Sequence, residues 1–416
     1  MSTIGAHSTV PFKPQLAVLT LLGSALVACG VFLSGFVISE PAPYELLMVV
    51  QVAVWFLLGL KISRAVAPLL ALLLTFNVGG ILSLTMMQDL DTGPMYLAVS
   101  LFLALTAVFY AAIIEDRHER LRLIFQAWVA AAIITALLGI LGYFHAFPGA
   151  EAFTLYDRAK GAFQDPNVFG PFLISPALYL MHGLLTGKLF VAPFRVAGLL
   201  VIALGVFLSF SRAAWALFLF SSVALVFIML LKERTGAFRL KILLLSLTAI
   251  VVLVVVVVIA LQFEQVRSLF LDRTTLAKDY DSGHLGRFAR HRLGFLMMME
   301  RPLGIGPMVF SKRLFPEDEH NIWLKSLTTY GWLGFVCYIT MMAWTLSIGF
   351  RYLLRNRPWQ PYLMIAWIVI IGHMIIGNVI DTDHWRHFYM LLGIIWGCGA
   401  LEWRHQRALR RAGRPG

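Results

Sequence analysis

The sequence predicts an all-α polytopic membrane protein of about 12 transmembrane helices with one long loop, on three observations. Of its 416 residues 59% are apolar and the mean hydropathy is +0.80, against an apolar share of roughly 45–50% in soluble domains. Only 13% are charged, about half the usual share of roughly 25%, which excludes a soluble cytosolic enzyme and a disordered chain. The apolar residues fall into runs of about 20, the helix length that crosses about 30 Å of hydrocarbon.

Five runs come first, near 15–38, 44–60, 66–85, 94–114 and 121–144, and none carries a motif. In the first, Leu26-Val27-Ala28-Cys29-Gly30 has the form of a lipoprotein cleavage box, but apolar residues continue through Ile38 and complete a span. Cys29, Cys337 and Cys398 all sit inside apolar runs, with neither a disulfide framework nor a metal-ligand spacing. Runs six to nine lie near 166–186, 189–210, 214–231 and 242–263, and the last three near 322–350, 359–380 and 386–402. Between runs nine and ten stands the long polar loop, about 264–321, a length that marks functional or disordered segments. The 31 Phe, 11 Trp and 12 Tyr suit lipid-facing and interfacial positions. No repeat or low-complexity linker divides the chain, so 1–416 reads as a single membrane domain.

Charge sets the orientation. With the N-terminus inside, the segments on that side hold 20 of the 34 basic residues, from Lys13 to Arg414. Outside the long loop, the other side holds only Arg158, Lys160, Arg212, Lys325 and Arg386. This is a strong positive-inside signal, which puts both termini in the cytoplasm and the 264–321 loop on the extracytoplasmic side. The net charge of +12 is then mostly orientation. The basic tail 403–416 and the 232–241 loop face anionic headgroups of the membrane lipids, and no nucleic-acid partner is needed.

Five constellations carry polar chemistry. In Gly161-Ala162-Phe163-Gln164-Asp165-Pro166-Asn167, Asp165 and Pro166 build a helix start. That start is either purely structural or a place where Asp165 and Asn167 meet sugar hydroxyls or phosphate. In Phe210-Ser211-Arg212-Ala213-Ala214-Trp215, Arg212 is either a snorkelling anchor or a guanidinium for a lipid diphosphate. Gly286-Arg287-Phe288-Ala289-Arg290-His291-Arg292 puts Arg287 and Arg290 on one face at helical spacing, which a solvated surface helix would also explain. The Gly/Pro turn in Arg301-Pro302-Leu303-Gly304-Ile305-Gly306 lacks the strand context of a dinucleotide site. Pro316-Glu317-Asp318-Glu319-His320-Asn321 offers His320 as a general base among carboxylates, or as a structural histidine, with Asn321 beside it a candidate to bind substrate. Asp381-Thr382-Asp383-His384-Trp385-Arg386 reads as a polar loop closing the outer face, with Arg386 as a third phosphate contact. Asp383 and His384 alone do not make a metal site.

In this order the segments GAFQDPN, SRAAW, GR with RPLGIGPMVF, and EHNIWLKSLTTYGWLG resemble the O-antigen ligase and O-antigen polymerase superfamily of bacterial inner membranes, over residues 158 to 350. The resemblance implies a metal-independent, cofactor-free glycosyltransferase whose active site is periplasmic. It would move a whole glycan from undecaprenyl diphosphate to an acceptor sugar hydroxyl, on lipid A-core for a ligase or on the growing glycan for a polymerase. It places the family's span-break arginine on Arg212, its loop arginine on Arg287 or Arg290, and its catalytic histidine on His320. The His-Asn pair favours a ligase, with an O-antigen or exopolysaccharide polymerase as the alternative. A transporter or flippase of lipid-linked sugars would share the length and the basic side. Such proteins gather ionisable groups near the bilayer midplane, whereas this chain gathers them at the outer surface.

Overall fold

A computed structural model of the protein describes residues 14–90, 92–232, 235–274, 286–315 and 317–412. Lys13, Arg234, Arg414, Pro316 and residues 275–285 of the long loop lie outside the described residues. Among the described residues fifteen α-helices follow one another: α1 Pro14–Leu33, α2 Pro43–Leu57, α3 Ala67–Leu84, α4 Gly93–Asp116, α5 Arg120–Tyr143, α6 Pro166–Phe172, α7 Ile174–Thr186 and α8 Ala192–Leu208. They continue with α9 Arg212–Lys232, α10 Gly236–Ala260, α11 Glu264–Thr274, α12 Arg287–Met299, α13 Ile322–Tyr352, α14 Gln360–Ile376 and α15 Arg386–Arg411. A two-stranded hairpin, β1 Thr154–Leu155 against β2 Arg158–Ala159, is the only sheet among the described residues.

Each of the twelve apolar runs is mostly helical, and among the described residues seven helical stretches are long and apolar enough to cross a membrane: α3, α4, α5, α6 with α7, α9, α10 and α13. Proline stands in the first turn of α2, α3, α4, α6, α8 and α14, where its fixed φ suits a helix start and its missing N–H would have had no partner. In α10 only Ile242 and Ala260 are buried, which leaves its surface to lipid. The loop predicted over 264–321 carries α11, α12 and a π-helical turn at Phe310–Leu314.

The packing centre is α15 against α4. Gly393 and Gly397 repeat at four residues, and a Cβ on them would come within 2.6 Å of the Ala107 carbonyl oxygen and 2.9 Å of the Ala111 carbonyl oxygen. Small residues at this spacing let backbones approach where lipid provides no hydrophobic drive to associate. Gly397→Leu should therefore cost about 1–3 kcal/mol by overpacking, read as a fall in the melting temperature of the detergent-solubilised protein. An unchanged melting temperature would count against this contact.

Inside the apolar stretch of α13 the helix breaks at Gly331, with φ +64° and ψ −174°. The returning 302–306 segment covers the break. Trp332 N–H donates to the Pro302 carbonyl at 2.9 Å, and the Ile305 and Gly306 N–H groups donate to the Thr328 carbonyl at 2.8 and 3.1 Å. Broken helix is tolerated at membrane depth only when its freed groups are satisfied this way. The Gly/Pro turn at 301–306 thus serves as a backbone plug. At the other end of α13 and α15, the fully buried Glu402 accepts from Arg357 at 3.0 Å and Arg355 at 3.2 Å, so two arginines of the positive-inside count also hold helices together.

Candidate active site

Helices α9, α12, α13 and α15 start around one cavity of about 450 Å³. Each lining segment is placed by local chemistry. Asp165 caps α6, its Oδ1 accepting from Asn167 N–H at 2.7 Å, with Pro166 at the first helical position. The α8–α9 break is made by Phe210, which is buried and has φ +46°. Beyond it, Ser211 Oγ accepts from Ala214 N–H at 3.4 Å, and Arg212 opens α9 as a lining residue.

Arg158 ties these two segments together. The hairpin turn at Tyr156 and Asp157, both with positive φ, sends Arg158 inward, where it is 7% exposed. Its Nε donates to the Ser209 carbonyl at 2.8 Å and its Nη2 to Asn167 Oδ1 at 2.9 Å.

On the facing wall, Arg273 of α11 and Arg287 and Phe288 of α12 line the cavity. Arg290, one turn further on, does not. It is 3% exposed and its Nη2 pairs with Glu317 Oε2 at 2.6 Å, a bond that holds the Glu317 carboxyl below its ordinary range. Next to it His291 Nε2 lies 2.7 Å from the Glu319 carbonyl; a carbonyl only accepts, so Nε2 carries the hydrogen. Burial lowers the His291 pKa. Two successive residues of α12 thus hold the strap that carries His320.

His320 lines the cavity with its backbone in the left-handed region, φ +47°. A non-glycine residue pays for that conformation and keeps it only where its surroundings impose it. Its Nδ1 is 3.9 Å from Asp381 Oδ2. Asn321 is fully committed within the protein. Its Oδ1 caps α13 by accepting from Leu324 N–H at 3.0 Å, its N–H donates to Asp381 Oδ1 at 2.9 Å, and its Nδ2 donates to the Asn378 carbonyl at 3.2 Å.

Arg386 also stands apart from the lining, its guanidinium held by Glu45 and, at 2.9 Å, by Glu40. Asp383 and His384 pair with each other at 3.1 Å and with Tyr96, whose hydroxyl donates to Asp383. Burial opposes ionisation of Asp383, but His384 and Lys325 overcome it and hold its carboxyl below the usual range.

Four arginines, Arg158, Arg212, Arg273 and Arg287, and two acids, Asp165 and Asp381, line the cavity together. The N-termini of α9, α12, α13 and α15 add positive potential of the same sense. The lining thus combines four arginines, two acids and one imidazole.

Residues 197–339 match the family model described as O-antigen ligase. The match supports a relation of that stretch to the O-antigen ligase and polymerase superfamily. No curated protein matches the chain. The matched stretch contains Arg212, Arg273, Arg287 and His320. Arg158, Asp165, Asn167 and Asp381, which complete the cavity, lie outside it.

Three lining residues escape the sequence reading. Arg158 is one of the five basic residues on the side poor in them, and the reasoning that singles out Arg212 applies to it equally. Arg273 lies in the long loop without a motif. Asp381 reads as part of a closing loop, because nothing local shows that a residue 61 positions after His320 comes to stand beside it.

Proposed function

We propose that the protein is an O-antigen ligase-type glycosyltransferase of the bacterial inner membrane. It moves a glycan from undecaprenyl diphosphate to a sugar hydroxyl of lipid A-core at the periplasmic face. The proposed topology has twelve spans and cytoplasmic termini. The observation that carries the reading is the convergence of Arg212, Arg273, Arg287 and His320 on one cavity.

The diphosphate is a good leaving group once its developing charge is met, and guanidinium forks aimed at it supply that stabilisation. Asp381 Oδ2 lies 3.9 Å from His320 Nδ1, and closing that gap when substrate binds would select the tautomer protonated there and leave Nε2 as the base. The acceptor oxygen bonds to the anomeric carbon as the bond from that carbon to the diphosphate oxygen breaks. The acceptor's proton goes to His320 Nε2 and then to water, and undecaprenyl diphosphate leaves. Attack opposite the leaving group inverts the anomeric centre.

The test is the protein in lipid nanodiscs with an undecaprenyl diphosphate-linked repeat unit, with and without lipid A-core. Product only with core supports the ligase reading. A ladder of longer glycans without core makes the protein a polymerase, and no release of undecaprenyl diphosphate in either condition favours transport.

Arg158 gives a further expected result. An ammonium cannot reproduce a fork shared between Ser209 and Asn167. Arg158→Lys should therefore slow transfer about tenfold or more, as expected when a catalytic group is misplaced by an ångström. Wild-type kcat/KM in Arg158→Lys would show that this clamp does not set the position of Arg212.

A further inference from the structure

Lys325 stands in the first turn of α13 and is 5% exposed. A buried ammonium requires compensating charge. Its Nζ lies 3.4 Å from Asp381 Oδ2 and 3.6 Å from Glu319 Oε2, and 5.8 Å from the centroid of the Tyr96 ring. The Asp381 oxygen it meets is the one 3.9 Å from His320 Nδ1. Lysine and histidine therefore share one carboxylate oxygen.

We propose that Lys325 is a positioning residue that acts through Asp381 to keep His320 neutral and correctly turned for proton abstraction. The inference rests on the reading of His320 as the general base. A carboxylate whose only ionic neighbour is an imidazole favours the imidazolium, which cannot accept a proton. Sharing the carboxylate with an ammonium removes much of that pull, while its oxygen remains available to orient the Nδ1 hydrogen.

The other charges around His320 have partners of their own, Glu319 sharing Lys325 with Asp381. On its own strap, Glu317 is paired with Arg290, and Glu319 is buried with the Thr328 hydroxyl donating to it at 2.6 Å; Asp318 is the third acid there. From the 377–385 segment, Asp383 is held by His384 and Tyr96. From α12, His291 is held on the Glu319 carbonyl. Across the cavity stand Arg158, Arg212, Arg273 and Arg287, with Asp165. Among the described residues, Lys325 is the cation within 4 Å of Asp381, and His320 would join it as an ion-pair partner only when protonated.

The experiment measures kcat/KM against pH in nanodiscs for the wild type, Lys325→Met, Lys325→Arg, Asp381→Asn and the double variant Lys325→Met/Asp381→Asn. The wild type should lose activity on the acid side as His320 takes up a proton. In Lys325→Met that limb should move to higher pH by about one unit, the scale of losing one nearby opposing charge, and Lys325→Arg should restore it. In the Asp381→Asn background the same lysine change should leave the limb in place, because the carboxylate through which it acts is gone. Lys325→Gln, which keeps a hydrogen-bond donor between Asp381 and Glu319 but no charge, should shift the limb in the same direction and serves if Lys325→Met does not fold. A purely structural lysine would lower the melting temperature and the rate at every pH with the limb unmoved, and that result would overturn the proposal. So would an equal shift in the Asp381→Asn background. A wild-type profile with no acid limb would instead remove His320 as the base, and this inference with it.

Discussion

His320→Asn should reduce glycan transfer about 10²–10⁴-fold, the usual contribution of a positioned general base. Asparagine is the informative replacement because the residue sits at φ +47°, a region that asparagine visits more readily than alanine. The strap should then stay folded on Arg290 and His291, whose bonds reach Glu317 and the Glu319 carbonyl rather than the imidazole. Donor binding should be preserved, since the diphosphate is met by arginines of other segments, so the loss should fall on kcat. His320→Ala should lose as much activity and more stability. Turnover above a tenth of wild type in folded His320→Asn protein would remove the base assignment.

Arg212→Ala should cost about 10²–10³-fold in kcat, the scale found when one preorganised donor to a developing oxyanion is deleted. Arg212 opens α9 immediately after the left-handed Phe210, so its side chain and the helix N-terminus address the cavity from one place. Lysine at 212 restores the charge without the fork, and recovery should be partial, at least about tenfold below wild type. Because the diphosphate is already charged in the bound donor, the donor KM should rise as well. Arg287→Ala should behave similarly, and the double variant should lose less than the product of the two, since both act on one leaving group. Arg290→Ala should differ in kind. It uncouples α12 from the strap by freeing Glu317, and should show first as lost thermal stability. Equal kinetic losses without destabilisation in Arg287→Ala and Arg290→Ala would contradict the division of roles between them.

Much of the architecture was legible because its signals are local. The length of an apolar run and a proline in a helix's first turn are properties of a few neighbouring residues. The helix start at Asp165-Pro166, the break at Ser211-Arg212 and helical spacing from Arg287 to Arg290 are of the same kind, and the structure builds a helix start or helix at each. The Gly393 and Gly397 spacing was equally open to reading and went unread.

The sequence by itself determined that this is a helical chain with membrane-length apolar stretches, with many of its charges gathered in a few short segments. Only the tertiary structure decided which of those charges share a cavity. Arg287 and Arg290 are three residues apart, yet one meets the cavity and the other Glu317, because the strap lies against one side of α12. Asn321 and Arg386 are polar residues in the right segments, spent on capping α13 and on Glu40 and Glu45. Arg158 reaches Asn167 and Ser209, and Asp381 joins His320 to Lys325, across separations that no local pattern encodes. A buried charge must find its counter-charge wherever helix packing brings one within reach, and that packing is a property of the whole bundle.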